Sequence, residues 1–253
     1  LRLVRYAWIE KQAMDAGLYW LNPTPEEEVK EALSLHLYLD AEHAKLLRGR
    51  VAEMRNPPPR MDVSPASTLD VFFRELLAAE DTLEKLVGLY GVLKPALLAA
   101  YREHYARANP LVDFPTRRVL DFILLEEERT AAWGRAALDA LTQSDEDRQR
   151  ADAWAAHLRA YLQAAGGVSG EEERPESVPA PRGVGDFAPD FFPQRDARFV
   201  GQGNFVFPPH EVARTEGVPD DEKTLALMCK RNLEMDVPEA MARMIAEAEG
   251  QPW

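Results

Sequence analysis

Apolar side chains recur every three to four residues through positions 1–165, and the pattern breaks only where Asn, Pro or Ser cluster, at 22–25, 56–59, 109–115 and 143–144. That rhythm predicts helices joined by loops. The first helix runs to about Leu21 on a stripe of Leu3, Ala7, Met14 and Leu18, with Glu10 inside the stripe. The second opens on Thr24-Pro25-Glu26-Glu27, where Thr24 can cap, Pro25 suits the first turn and Glu27 closes a capping box; it stops at the prolines after Asn56. A third helical stretch starts near Ser67 and passes Phe72, Leu76, Leu83, Leu86 and Leu93 toward Tyr105, with Pro95 expected to kink or divide it. The fourth runs from about Asp113–Thr116 through Leu120, Ile123, Leu124 and Ala131 to about Leu141. The fifth is capped by Ser144, carries Asp145, Glu146 and Asp147 in its first turn, and ends at Gly166-Gly167.

Beyond residue 165 the pattern changes. Residues 166–185 are rich in Gly, Pro, Ser and Glu without apolar periodicity and read as a flexible linker. The stretch 186–210 alternates phenylalanine with proline and is expected as an extended arm lying on a surface, its own or a partner's. Two short helices are predicted at about 221–234 and 237–249, with Met228, Met235, Met241 and Met244 docking them onto their own bundle rather than lining an open groove. The domain reading is therefore a helical bundle over 1–165, a linker over 166–185, and an arm with short helices over 186–253. No internal repeat is visible.

The 253 residues are 46% hydrophobic and 29% charged, enough for a buried core. A net charge of −13 argues against a nucleic-acid or membrane-surface partner. The single cysteine, Cys229, rules out an intramolecular disulfide and any multi-thiolate metal site, and suits a reducing compartment. No apolar run approaches the ~20 residues of a membrane span and no signal-peptide pattern opens the chain, so a cytoplasmic location is expected. Because the chain opens on Leu1, the sequence does not report what precedes it. Neither Gly183-x-Gly185 nor Gly201-x-Gly203 has the strand, helix and lysine of a phosphate loop.

The chemistry lies in polar residues on apolar helix faces. His36, Asp40 and His43 are spaced i, i+4 and i+7, which puts them on one face of the second helix. The first helix offers Glu10, the third Glu80 or Glu84, and the fourth Glu127 in line with Leu120 and Ile123. Helical bundles build two-metal sites from inward carboxylates and histidines delivered by four helices. Each residue also has an ordinary reading: His36 and His43 as histidines bonding a neighbouring helix, Glu10 and Glu127 as solvated helix-edge carboxylates.

Trp8-Ile9-Glu10-Lys11-Gln12-Ala13, the segment from Asp40 through His43 to Leu47, and VLDFILLEEERTAAWG over 119–134 resemble the motifs of an uncharacterised bacterial family of ferritin-like proteins. Its members carry I-E-x-Q-A, E-x-x-H and I-L-x-D-E-x-x-H on their first, second and fourth helices. The resemblance covers roughly residues 1–141. It implies an all-α, ferritin-like four-helix bundle, here with an additional helix, an extended C-terminal arm and two short terminal helices. It further implies a di-iron or related site at Glu10, Asp40, His43, Glu80 and Glu127, with Glu84 the alternative to Glu80.

Two positions depart from the pattern: Asp40 stands in place of glutamate and Thr130 in place of the second histidine. Asp retracts its carboxylate by ~1.5 Å, and Thr130 offers no nitrogen, so His36 is the substitute donor that spacing allows. Without metal, four carboxylates in a core must be protonated, hydrated, paired with a basic side chain or not buried. A basic side chain between Glu10, His43 and Glu127 would replace the metal's charge.

Two functions are expected. One is an iron or manganese oxidase or oxygenase acting on an organic substrate, its catalytic residues beyond the ligands unassigned. The other is a metal-depleted scaffold, without cofactor, that binds a protein partner or a second copy of itself through the C-terminal arm.

Overall fold

The computed structural model describes residues 2–54, 60, 62–185, 187–198, 209–234 and 236–248. The described residues are helical or irregular, with no strand among them. The helices are α1 (Arg2–Leu21), α2 (Glu27–Met54), α3 (Ser67–Leu77), α4 (Thr82–Leu86), α5 (Lys94–Arg107), α6 (Phe114–Leu141), α7 (Asp145–Ala164), α8 (Pro209–Arg214), α9 (Asp220–Leu233) and α10 (Asp236–Glu247). A π-helical segment, Val87–Leu93, joins α4 to α5. None of these helices is long and apolar enough to cross a membrane. The chain divides into two units, Leu1–Ala16 with His36–Ala188, and Gly17–Leu35 with Pro189–Trp253.

In the first unit, four helical runs have directions readable from their bonded pairs. His43 meets Glu126 and Arg50 meets Thr116, so α2 and α6 are antiparallel. His36 meets Tyr90 and Asp40 meets Lys94, so α2 runs parallel to the π segment and α5. Tyr6 packs on Tyr101 and His104 while Glu10 reaches Lys94, which makes α1 antiparallel to α5. Two consecutive runs, α2 and α4–α5, are therefore parallel, with α3 between them in the chain. Tyr6, Leu47, Leu69, Phe72, Leu86, Leu93, Leu97, Leu120, Ile123 and Leu158 are fully buried. Each such large side chain contributes about 1.5–3 kcal/mol.

The third stretch differs from the sequence expectation. It breaks at residues 78–81, where Asp81 accepts a bond from the Glu84 amide (2.9 Å) and starts α4. Pro95 does not divide the helix. Its missing N–H would leave the carbonyl of Gly91 without a helical partner, and the guanidinium of Arg159 donates to that carbonyl (3.1 Å). The wider π turn just before Pro95 accommodates the ring.

At the end of α7, Gly166 and Gly167 take φ values of 80° and 67° and close the helix, as their type suggests. Buried Arg5 of α1 donates to the carbonyls of Ala165, Gly167 and Val168 at 2.6, 2.7 and 2.9 Å, a cation on helix-end oxygens. The linker over 166–185 has no helix but is fastened. The buried carboxylate of Glu75 accepts from the amides of Arg182 (2.8 Å) and Gly183 (3.0 Å) and from His157 (2.7 Å), and Tyr161 donates to the carbonyl of Pro179 (2.7 Å).

In the second unit, α2 is capped from a distance. Thr24 donates back to Trp20 in α1 (2.7 Å), and the amide of Glu27 donates to Asp196 (3.3 Å). Residues 189–198 are tied by Asn22 to the carbonyl of Phe191 (3.0 Å), by Gln194 to the carbonyl of Asn22 (2.9 Å), and by Lys30 to the carbonyl of Gln194 (2.6 Å). Lys30 and Arg195 both pair with buried Glu239 of α10. The phenylalanines Phe199, Phe205 and Phe207 of the expected arm, and Met235, lie outside the described residues. Met228, Met241 and Met244, expected to pack inward, are exposed. Helix α8 has no counterpart in the sequence reading.

Candidate metal centre

Glu10 of α1, Asp40 and His43 of α2, and Glu127 of α6 are all buried, and each offers a ligand atom within 4.8 Å of the others. They meet because each occupies an apolar face of its helix: Glu10 lies in register with Tyr6 and Ala13, Glu127 with Leu120, Ile123 and Ala131.

A lysine stands among them. Buried Lys94, the first residue of α5, donates to Asp40 and to Glu127 Oε1 (2.6 Å), and its ammonium lies 3.5 Å from Glu10 Oε2. Tyr101, two turns on, donates to Glu10 Oε1 (2.5 Å). His43 Nε2 bonds Glu126 (2.9 Å), whose side chain is 38% exposed. His43 Nδ1 lies 3.5 Å from Glu10 Oε1 and 3.4 Å from Glu127 Oε1 yet is aligned for a hydrogen bond with neither, and Glu127 Oε2 also makes none.

The electrostatics follow. Burial opposes charge on Glu10, but Lys94, His43 and Tyr101 outweigh it and hold the carboxyl down at about 2. Asp40 is pushed up to about 7, because burial and the charges of Glu10 and Glu127 exceed the pull of Lys94. Burial would lower the His43 imidazole, yet the two carboxylates beside it raise it to about 11. Lys94 is likewise held well above its ordinary value by Asp40, Glu10 and Glu127 despite burial. Metal-free, the centre is compensated: three carboxylates face one ammonium and one imidazolium, with Asp40 the carboxyl readiest to take a proton.

The donor set also fits one metal ion. With Nε2–H donated to Glu126, a neutral His43 would aim its Nδ1 lone pair at two carboxylates, an arrangement that either a proton on Nδ1 or a metal ion between them relieves. The His43–Glu127 and His43–Glu10 separations are 3.4 and 3.5 Å. Glu126 behind His43 and Tyr101 behind Glu10 are the outer partners that orient such ligands. The Lys94 ammonium occupies the space between Asp40 and Glu127.

The other expected ligands are elsewhere. Glu80 sits in the break after α3, its side chain 80% exposed and 3.1 Å from Arg182. Glu84 binds the same guanidinium at 2.9 Å. Both are removed from the cluster because the third stretch ends at Leu77 and restarts at Thr82 instead of running straight through. His36 does not swing in; its Nδ1 bonds the hydroxyl of Tyr90 (2.7 Å). Thr130 is buried one turn beyond Glu127.

Sequence reasoning missed Lys94, Tyr101, Tyr90 and Glu126. Lys94 carried a signal, since Tyr90, Leu97 and Tyr101 stand at i−4, i+3 and i+7 and make it a lone charge on an apolar stripe. Set against known proteins, the chain matches no family model, no curated protein and no solved structure.

Proposed function

We propose that this chain is a ferritin-like oxidoreductase that holds one iron or manganese ion at Glu10, His43 and Glu127, with Lys94 in place of a second metal. The observation that carries the reading is the buried Nδ1 of His43, without a hydrogen bond and 3.4–3.5 Å from two carboxylates. The connectivity supports it as well. Two parallel consecutive runs joined by one long crossover are characteristic of ferritin-like bundles, as distinct from simple up-and-down ones.

A bound iron or manganese ion would supply redox chemistry and the capacity to activate dioxygen toward an organic substrate. The protein's own part is positional and electrostatic. Glu126 fixes the tautomer of His43, Tyr101 orients Glu10, and Lys94 neutralises carboxylate charge that one divalent ion leaves over. Burial of all four cluster residues keeps bulk water from the donors.

A second reading, a metal-free scaffold, is favoured by one observation: the Lys94 ammonium already compensates the carboxylates. Metal analysis of protein expressed with iron and manganese decides between them. The metal reading expects about one ion per chain, lost in His43→Ala. Metal no higher than in that variant would refute it in favour of the scaffold, and about two ions per chain would refute the displacement of the second metal by Lys94.

A further inference from the structure

Behind the cluster lies a second group that the metal reading does not use. His36 stands one turn before Asp40 on α2, Tyr90 one turn before Lys94 in the π segment, and Trp133 less than two turns beyond Glu127 on α6. The three rings meet edge-on: His36 to Tyr90 at 5.5 Å, His36 to Trp133 at 5.3 Å and Tyr90 to Trp133 at 5.3 Å between centroids. Tyr90 and His36 are buried and Trp133 half-buried.

The hydrogen bond between Tyr90 and His36 has one sensible polarity. The Tyr90 hydroxyl has His36 Nδ1 as its partner at 2.7 Å, and a buried phenol O–H without an acceptor is costly. The phenol therefore donates, and His36 presents a free base with its ring proton on Nε2. Burial, reinforced by the charge of Lys94, lowers the imidazole to about 4, so the ring is neutral at ordinary pH. Two features hold the geometry. Gly134 lets the Tyr90 ring lie against α6, since a Cβ there would stand 2.3 Å from Tyr90 Cβ, and the π turn carries the tyrosine itself. Such turns are frequent at functional positions.

We infer that Tyr90 is a reversible one-electron redox site, with His36 as its proton acceptor and Trp133 as the electron's route toward solvent. In the step, the Tyr90 phenol gives one electron to a one-electron oxidant while its O–H bond breaks and the proton passes to His36 Nδ1. A neutral tyrosyl radical and an imidazolium result. Re-reduction by an external one-electron donor, whose electron enters through Trp133, restores the phenol as the proton returns from His36 Nδ1 along the same bond. The inference rests on the metal reading only for its internal oxidant, an oxidised iron or manganese ion at the cluster. The donor, base and conduit are present without it.

The test uses the full chain, first stripped with chelator and then iron-loaded, oxidised by the outer-sphere reagent hexachloroiridate(IV) and followed by electron paramagnetic resonance. A tyrosyl signal is expected in the stripped protein, lost in Tyr90→Phe and retained in a Tyr38→Phe control at an exposed tyrosine. His36→Gln keeps an acceptor for the hydroxyl but not a base, and should slow radical formation at least tenfold while circular dichroism remains that of the wild type. A signal unchanged in Tyr90→Phe, or no tyrosyl signal at all, would overturn the inference even if metal binds. A Tyr90 signal in a chain that takes up no metal would sustain it and remove only the internal oxidant.

Discussion

Lys94→Met keeps an unbranched stem of similar volume and removes one cation from among three carboxylates. Truncating one partner of a buried ion pair costs about 3–5 kcal/mol, because the remaining charge stays buried and uncompensated. Here part of that cost has an outlet. The Asp40 carboxyl already stands at about 7 with Lys94 beside it, against 3.8 ordinarily, and loss of the ammonium moves it further up. Folded variant then holds a proton at Asp40 that the unfolded chain releases, so its stability falls as pH rises above the ordinary carboxyl value. The loss relative to wild type should be about 3 kcal/mol at about pH 6 and about 1 kcal/mol larger at about pH 8. In urea that is a midpoint shift of about 1–2 M, larger at the higher pH. The assay is urea unfolding of chelator-treated wild type and variant, followed by far-ultraviolet circular dichroism at both pH values. Equal midpoints, or a larger loss at the lower pH, would show that Lys94 does not neutralise the cluster and would remove the argument that it displaces a metal.

Lys94→Glu supplies a carboxylate where the second ion would sit, and metal analysis should rise from about one to about two ions per chain; no increase would mean that charge is not what excludes the second ion. In the metal-free protein, His43 raised to about 11 from 6.5 contributes stability that is complete below about pH 6.5 and lost as pH climbs toward 11. Metal binding must displace that proton, so calorimetry in buffers of different ionisation enthalpy should register proton release, and none would place the metal elsewhere. Gly134→Ala drives a methyl to 2.3 Å from Tyr90 Cβ. Overpacking of about 1–3 kcal/mol should exceed the gain of up to about 1 kcal/mol in helix propensity, visible as a lower melting temperature.

The helices were legible because each announces itself locally: a stripe at helical spacing, and Ser144 accepting from the Asp147 amide (3.0 Å) as its type implies. The meeting of Glu10, Asp40, His43 and Glu127 was legible for the same reason, as polar residues on faces that must turn inward. What failed was long-range. Thr24 looks like a cap for α2, but the bond to Glu27 comes from Asp196, which no local pattern announces. Glu80 looks inward only if the third stretch is one helix, and the break before Asp81 turns it out to Arg182. Lys94 is hidden by its neighbour: Pro95 reads as an interruption of the helix, while Arg159 from another helix bonds the Gly91 carbonyl that the proline leaves over.

The widened turn at Val87–Leu93 has a consequence for how this helix can change length. In a regular helix one added residue rotates everything beyond it by about 100°, which would carry Lys94 and Tyr101 away from the carboxylates. A π turn stores one residue's worth of slack. Deleting a single residue there should relax the segment to regular helix with both flanks still facing the core, whereas the same deletion inside α5 would swing Tyr101 off Glu10. Among relatives of this chain, length differences within the helix should collect at that turn.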